Sequence, residues 1–177
     1  MKKNIILIGF MGCGKTSVGI RLSYRMRRTM IDTDKMIERL NKMTVSEIFE
    51  QQGEAAFRDM ETQCLERLLE ETDGEIISVG GGLPMREENR KLLKQLGTVI
   101  YLRVTPQTVC TRLASDTTRP LLQGDHPEEK VRTLLEQRSP LYESAADWVL
   151  DVDDKDFDTI LDEIVGRMEK KNEAAGN

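Results

Sequence analysis

Gly9-Phe10-Met11-Gly12-Cys13-Gly14-Lys15-Thr16 fits the pattern G-x-x-x-x-G-K-[ST], the spacing with which a chain wraps its own backbone around phosphate. Glycines let such a loop curl so that successive N–H groups point at phosphate oxygens, and a helix starting at the lysine adds the positive end of its dipole. In that arrangement Lys15 reaches the β- and γ-phosphates and the Thr16 hydroxyl ligates Mg2+. Gly12, Cys13, Gly14 and Ser17 complete the expected nucleotide contacts of the loop. A dinucleotide fingerprint fails, because Gly12-x-Gly14 is followed by Ser17 where a third glycine is needed.

Many phosphate-loop proteins hold the metal through an aspartate at the end of a second apolar strand, yet Ile76-Ile77-Ser78-Val79 runs into Gly80-Gly81-Gly82. Another carboxylate must serve. Asp32 and Asp34 flank Thr33 at the end of a strand-like run, and in an extended segment residues two apart project to the same side. One could contact a hydrated metal and the other a substrate hydroxyl, although paired acids are also common at solvated strand ends. Three glycines at a strand end leave no side chain to block a ring pressed against the backbone. Arg58 and Arg138 are cations suited to a substrate carboxylate, with plainer alternatives on their own helices: Glu54 or Glu61 for Arg58, and Glu143 for Arg138.

Positioning these groups falls to an alternation of short apolar runs and helical periodicity. Ile5-Ile6-Leu7-Ile8, Met30-Ile31-Asp32, Ile76 to Val79, Val99-Ile100-Tyr101-Leu102 and Trp148 to Val152 read as strands buried on both faces. With helices between them, they predict an α/β fold: three layers around a central parallel sheet of five strands. Thr44-Val45-Ser46-Glu47 fits a capping box, Thr105-Pro106 offers an N-cap followed by proline, and Gly97 ends the helix carrying Leu92, Leu93 and Leu96. Phe157, Ile160, Leu161, Ile164, Val165 and Met168 recur at three- and four-residue steps, marking a C-terminal packing helix, with fraying expected over 169–177. Asp116 to Pro127, with two prolines and a glycine, reads as a mobile surface loop, and its His126 as a solvated residue.

The 177 residues, 38% of them hydrophobic, suffice for a single domain with one core. A formal charge of -5 argues against general nucleic-acid binding, and no apolar run approaches a bilayer span, so a cytoplasmic monomer acting on small molecules is the expectation. Cys13, Cys64 and Cys110 are widely spaced, without a CxxC pair and with one histidine in the chain, which supports neither a disulfide framework nor a zinc site. Cys64 and Cys110 read as small core hydrophobes, and Cys13 has no catalytic role.

In order along the chain, the phosphate loop, Asp32-Thr33-Asp34, Phe49-x-x-x-Gly53-Glu54-x-x-Phe57-Arg58-x-x-Glu61, Gly80-Gly81-Gly82, Arg112, Arg119-Pro120-Leu121-Leu122 and Arg138-x-Pro140-x-Tyr142 resemble the shikimate kinases. The resemblance spans Ile5 to Ala146. It implies a phosphate-loop NTPase fold similar to nucleoside monophosphate kinases, with a substrate-binding helical segment near 34–61 and a mobile lid near 113–127. The implied reaction moves a phosphoryl group from ATP to the 3-hydroxyl of shikimate, a step toward chorismate and the aromatic amino acids. Carried over residue by residue, Asp34, Arg58, Gly80, Gly81, Gly82 and Arg138 hold shikimate, Asp32 assists Mg2+ beside Thr16, Arg112 lies near the adenine, and Arg119 comes from the lid. Lys15, Asp34 and Arg119 are then the catalytic set. The acidic run Asp151-Val152-Asp153-Asp154-Lys155 departs from the basic residue that many relatives place on the adenine side.

Two rivals remain at this level. A kinase of another hydroxy acid such as gluconate would share the loop and architecture. A non-metabolic nucleotide switch would need a guanine-reading N-K-x-D signature, which Asn41-Lys42-Met43-Thr44 only half supplies.

Overall fold

The computed structural model describes residues 2–114 and 125–175. Its sheet has five strands, all parallel, in the order β2-β3-β1-β4-β5, formed by Asn4–Ile8, Met30–Asp32, Ile76–Ser78, Gly97–Arg103 and Trp148–Asp151 in chain order β1 to β5. Every residue of β1 is buried, which is why Ile5 to Ile8 form a continuous apolar run and not an alternation.

Seven helices accompany the strands among the described residues: α1 Lys15–Met26, α2 Thr33–Asn41, α3 Val45–Glu71, α4 Glu87–Leu96, α5 Pro106–Leu113, α6 Pro127–Ala145 and α7 Phe157–Ala175. The chain leaves β1 toward the β2 edge and leaves β3 toward β4 on the other side. Right-handed crossovers in opposite directions put α1 and α4 on opposite faces of the sheet and open a crevice between the carboxyl ends of β1 and β3. The loops that open into this crevice carry Gly9 to Gly14 and Gly80 to Gly82.

Local signals account for most element ends. Thr44 and Glu47 form the expected capping box at α3, and Thr105 caps α5 with Pro106 in its first turn. Gly97 ends α4 and at once begins β4, paired with Asn4, where a Cβ would lie 2.3 Å from the Asn4 carbonyl oxygen. Inside α3 the helix breaks at Gly53 (φ 85°, ψ 170°), a left-sided conformation that glycine tolerates, so the part carrying Arg58 and Glu61 sets off in its own direction.

Two expectations are corrected. The segment after Glu169 does not fray at that point: α7 runs on to Ala175, because Met168 is buried and Lys171 Nζ donates to Thr98 Oγ1 at 2.8 Å beside the Trp148 ring. Cys110 is only partly buried, unlike Cys64. Most of the proposed lid lies outside the described residues, and of its last residues His126 stands at the N-cap position of α6 while Pro127 starts that helix.

Asn4 fastens the end of the sheet opposite the crevice. Its buried amide Nδ2 donates to Thr72 Oγ1 (3.0 Å) and the Leu96 carbonyl (2.9 Å), and its Oδ1 accepts from the N–H groups of Gly74 (2.6 Å) and Glu75 (2.9 Å). Asn4→Ala strands these partners and should lower unfolding free energy by about 3 kcal/mol, measured by urea denaturation, with activity per folded molecule unchanged.

Candidate active site

The phosphate loop follows β1 and closes on α1. Gly12 (φ 76°) and Gly14 (φ 94°) take the left-handed turn that other residues enter at a penalty. Gly14 is also the N-cap residue of α1, and no side chain caps it, so the first-turn N–H groups at Lys15, Thr16 and Ser17 face the loop mouth. No acidic side chain stands in that first turn. An uncapped helix start of this kind is an anion site, and phosphate oxygens complete its hydrogen bonding.

Lys15 folds back across the loop, its Nζ donating to the carbonyls of Gly9 (2.7 Å) and Phe10 (3.1 Å). Cys13, expected among the nucleotide contacts, is buried beneath the loop, and its N–H is taken by the Phe10 carbonyl at 3.2 Å. Arg112 donates from Nη1 to the Gly12 carbonyl at 3.1 Å, which places it on the flank of the loop. Arg119 lies outside the described residues.

A cavity of about 340 Å³ opens beside the loop, edged by Gly12, Gly14, Lys15, Thr16, Ser17, Asp32, Asp34, Gly80 and Gly81, together with Met11, Ser78, Val79 and Leu113. Asp32 and Asp34 do meet there, though not by strand geometry. Only Asp32 belongs to β2; Thr33 and Asp34 already form the first turn of α2, and the Asp32 carboxylate caps that helix by accepting the Lys35 N–H at 3.1 Å. Helix initiation at Asp32, and not alternation along a strand, brings the two acids together. The hydroxyl of Thr16 and these carboxylates are hard oxygen donors, the set that Mg2+ takes when substrate phosphates and water fill its other positions. Among the described residues no group of three or more His, Cys, Asp or Glu side chains could hold a metal by itself.

Charged side chains stand opposite all three glycines. A Cβ on Gly80 would fall 2.7 Å from Asp34 Oδ1, one on Gly81 would fall 3.8 Å from Arg138 Nη1, and one on Gly82 would fall 2.4 Å from both terminal nitrogens of Arg58. Asp34 Oδ1 is buried without a hydrogen-bond partner, and burial, reinforced by Asp32, raises its pKa against the pull of Lys15 and Arg58. A carboxylate raised toward neutrality is a better proton acceptor than an ordinary one.

The two arginines differ in a way that sequence left open. Arg58 is paired on its own helix, with Glu61 Oε2 at 2.7 Å and Glu54 Oε1 at 3.4 Å. Arg138 pairs with no carboxylate among the described residues; Glu143 turns instead to Arg103 at 3.6 Å, and the Arg138 guanidinium lies 5.8 Å from the centre of the Phe10 ring. Arg138 is thus, among the described residues, a cation beside the glycine row without a carboxylate partner.

Two residues that the sequence reading did not count among the site residues stand beside the glycine row, although Glu61 was named there as a possible partner of Arg58. Glu61 is 1% exposed, holds Arg58 through one oxygen and turns the other, without a partner, toward Gly80, 3.2 Å from where a Cβ would sit. Its place three residues after Arg58 was the available signal. Tyr142 is fully buried, and its hydroxyl donates to the Gly81 carbonyl at 2.7 Å. The acidic run from Asp151 to Lys155, by contrast, serves the fold: Asp151 binds Arg103, Asp153 accepts from the Thr105 N–H and hydroxyl, and Lys155 meets Glu163.

Burial pushes the Glu61 carboxyl up to about 7; Arg58 and Arg86 oppose the shift and Asp34 adds to it. Because this folded-state value lies above the ordinary one, the contribution to stability is complete below about pH 4.5 and is lost as pH rises through about 7. Glu61→Gln should abolish that component, so the stability of the native chain relative to the variant should fall by about 2 to 3 kcal/mol between pH 4.5 and 7.5 in parallel denaturation series.

Compared with known proteins, the chain matches the family model described as "Shikimate kinase" over residues 11–169. It is 40% identical over 168 residues to the shikimate kinase of Thermodesulfovibrio yellowstonii, covering 95% of this chain and 96% of that one. The solved shikimate kinase of Acinetobacter baumannii in complex with shikimate superposes with a TM-score of 0.88 at 36% identity, covering 97% of this chain and 95% of its own. A gluconokinase from Sinorhizobium meliloti, at 16% identity and TM-score 0.59 over 98% of this chain and 95% of its own, shares the fold alone. Extended agreement in sequence and in backbone shows that the chain belongs to the shikimate kinase family.

Proposed function

We propose that the residues around this cavity divide one reaction, transfer of the γ-phosphoryl group of ATP to the 3-hydroxyl of shikimate, between a nucleotide side and an acid side. The observation that carries the reading is the row Gly80-Gly81-Gly82, each glycine opposite one of Asp34, Arg138 and Arg58. A ring bearing a carboxylate and several hydroxyls suits this cluster, because two cations can meet the carboxylate and Asp34 can accept from a hydroxyl.

On the nucleotide side, the uncapped N–H groups of α1 and the Lys15 ammonium take the phosphates, with Lys15 leaving the Gly9 and Phe10 carbonyls to do so. Thr16 and Asp32 hold Mg2+, which when bound offsets the charge of the phosphates. Arg119, outside the described residues, is assigned to charge on the transferring group, as the family resemblance implies. Arg112 steadies the loop through Gly12 and stands at the nucleotide edge.

On the acid side, Arg138 and Arg58 bind the carboxylate, and Asp34 accepts the hydrogen bond of the hydroxyl that attacks phosphorus. As the new O–P bond forms and the bond to the ADP oxygen breaks, the hydroxyl proton passes to Asp34. Phosphoryl transfer asks little covalent chemistry of a protein, so alignment and charge account for most of the acceleration. This work is placed in the cytoplasm, where ATP is supplied.

A coupled ADP-release assay with purified protein should show turnover with shikimate and none with gluconate or nucleoside monophosphates; turnover with gluconate alone would overturn the reading. Lys15→Met should reduce kcat by about 10³-fold or more. Arg58→Ala should instead raise the KM for shikimate by about 10²-fold, with the KM for ATP little changed. Gly82→Ala gives a sharper check. Gly82 has ordinary right-handed helical angles (φ −88°, ψ −13°), so alanine fits the backbone, but its Cβ must displace the Arg58 guanidinium. That variant should fold normally and raise the KM for shikimate about tenfold, reproducing part of the Arg58→Ala loss.

A further inference from the structure

Arg138 reaches the ligand side from α6 without, among the described residues, a carboxylate partner of the kind that orients Arg58. A long unpaired guanidinium samples many rotamers, and holding it in one place requires other contacts. The structure offers two. The Phe10 ring lies 5.8 Å from the guanidinium carbon, near the limit for a cation–π attraction. The other contact is the hydroxyl of Tyr142, one helical turn further along α6.

That hydroxyl is oriented. Tyr142 is fully buried, its ring packs against Tyr101 with centroids 5.0 Å apart, and its O–H donates to the Gly81 carbonyl at 2.7 Å. With the proton committed to Gly81, the oxygen lone pairs are left to accept from the guanidinium. The point where a Gly81 Cβ would sit is 3.7 Å from the Tyr142 hydroxyl and 3.8 Å from Arg138 Nη1, so the three groups converge on one spot. Burial raises the Tyr142 pKa, and Arg138 is the leading influence in the opposite direction.

We infer that Tyr142 is a positioning residue for the carboxylate end of the substrate: its hydroxyl joins Arg138 to the Gly81 backbone, so that cation and glycine face are presented in fixed register. The inference rests on the assignment of Arg138 and Gly81 to shikimate made above. Tyr142 is not among the residues edging the cavity beside the phosphate loop, so its influence falls on binding of the acid and not on the chemical step.

Tyr142→Phe removes the one oxygen and leaves the ring stacked on Tyr101, so the fold is kept. The variant should raise the KM for shikimate about fivefold to tenfold, with kcat and the KM for ATP within about twofold. In an Arg138→Ala background the same substitution should change the KM for shikimate by less than about twofold, because the group it positions is gone. An unchanged KM for shikimate in Tyr142→Phe overturns the inference, as does equal loss in both backgrounds, which would make the hydroxyl a prop for Gly81 alone. If Arg138→Ala by itself leaves the KM for shikimate unchanged, the assignment of Arg138 fails and the inference falls with it. A loss confined to thermal stability, with both KM values intact, reduces Tyr142 to a packing residue.

Discussion

Two charged side chains occupy space that absent Cβ atoms would claim, Asp34 over Gly80 and Arg58 over Gly82, with Arg138 in ordinary contact distance of Gly81, and the acid side proposed for the site depends on this packing. Asp34 comes from the first turn of α2, Arg58 from α3 and Arg138 from α6, yet all converge on the loop after β3. Any side chain at Gly80 would press on a buried carboxylate oxygen, and at Gly82 on a guanidinium. The backbone is bare there because the side chains of other elements fill the volume, and close packing leaves no room for both.

Convergence of this kind concentrates unlike charges in a dry place. Asp34 and Glu61 each keep one buried oxygen without a partner, both directed at Gly80, while Lys15 and Arg58 restrain the ionisation changes that burial drives. Unsatisfied buried carboxylate oxygens are expensive in a protein that only has to fold. In the proposed reading, the hydroxyls of a polyol supply the hydrogen bonds that the chain withholds from these two oxygens. Arg138 is unpaired with any carboxylate among the described residues, as its proposed role toward the acid group requires, whereas Glu61 and Glu54 already share the charge of Arg58.

The nucleotide side follows a different principle, built from backbone and helix start more than from side chains. Gly12 and Gly14 turn the loop and leave α1 uncapped, and parallel strands deliver this loop and the glycine row to the same edge of the sheet. Because β1 and β3 are neighbours whose connections depart in opposite directions, the two half-sites sit on either side of one crevice.

How much of this was legible beforehand depended on how local the cause was. The sequence by itself determined the phosphate loop, the strand set, the capping box at Thr44, the Thr105 cap and the glycine row, since each rests on backbone conformation or periodicity within a few residues. The family resemblance added the roles. Tertiary structure alone decided that Asp32 and Asp34 meet through a helix start, that α7 continues to Ala175 on the strength of Met168 and Lys171, and that Asp151 and Asp153 serve as structural partners of Arg103 and Thr105. It also decided between the two arginines. Both had an acid further along the same helix, Glu61 three residues after Arg58 and Glu143 five after Arg138, but Glu143 meets Arg103 of another element, while Glu61 is sealed against Arg58. Pairing of that sort is settled by which surfaces come together, and charge within a single helix carries no record of its neighbours across the sheet.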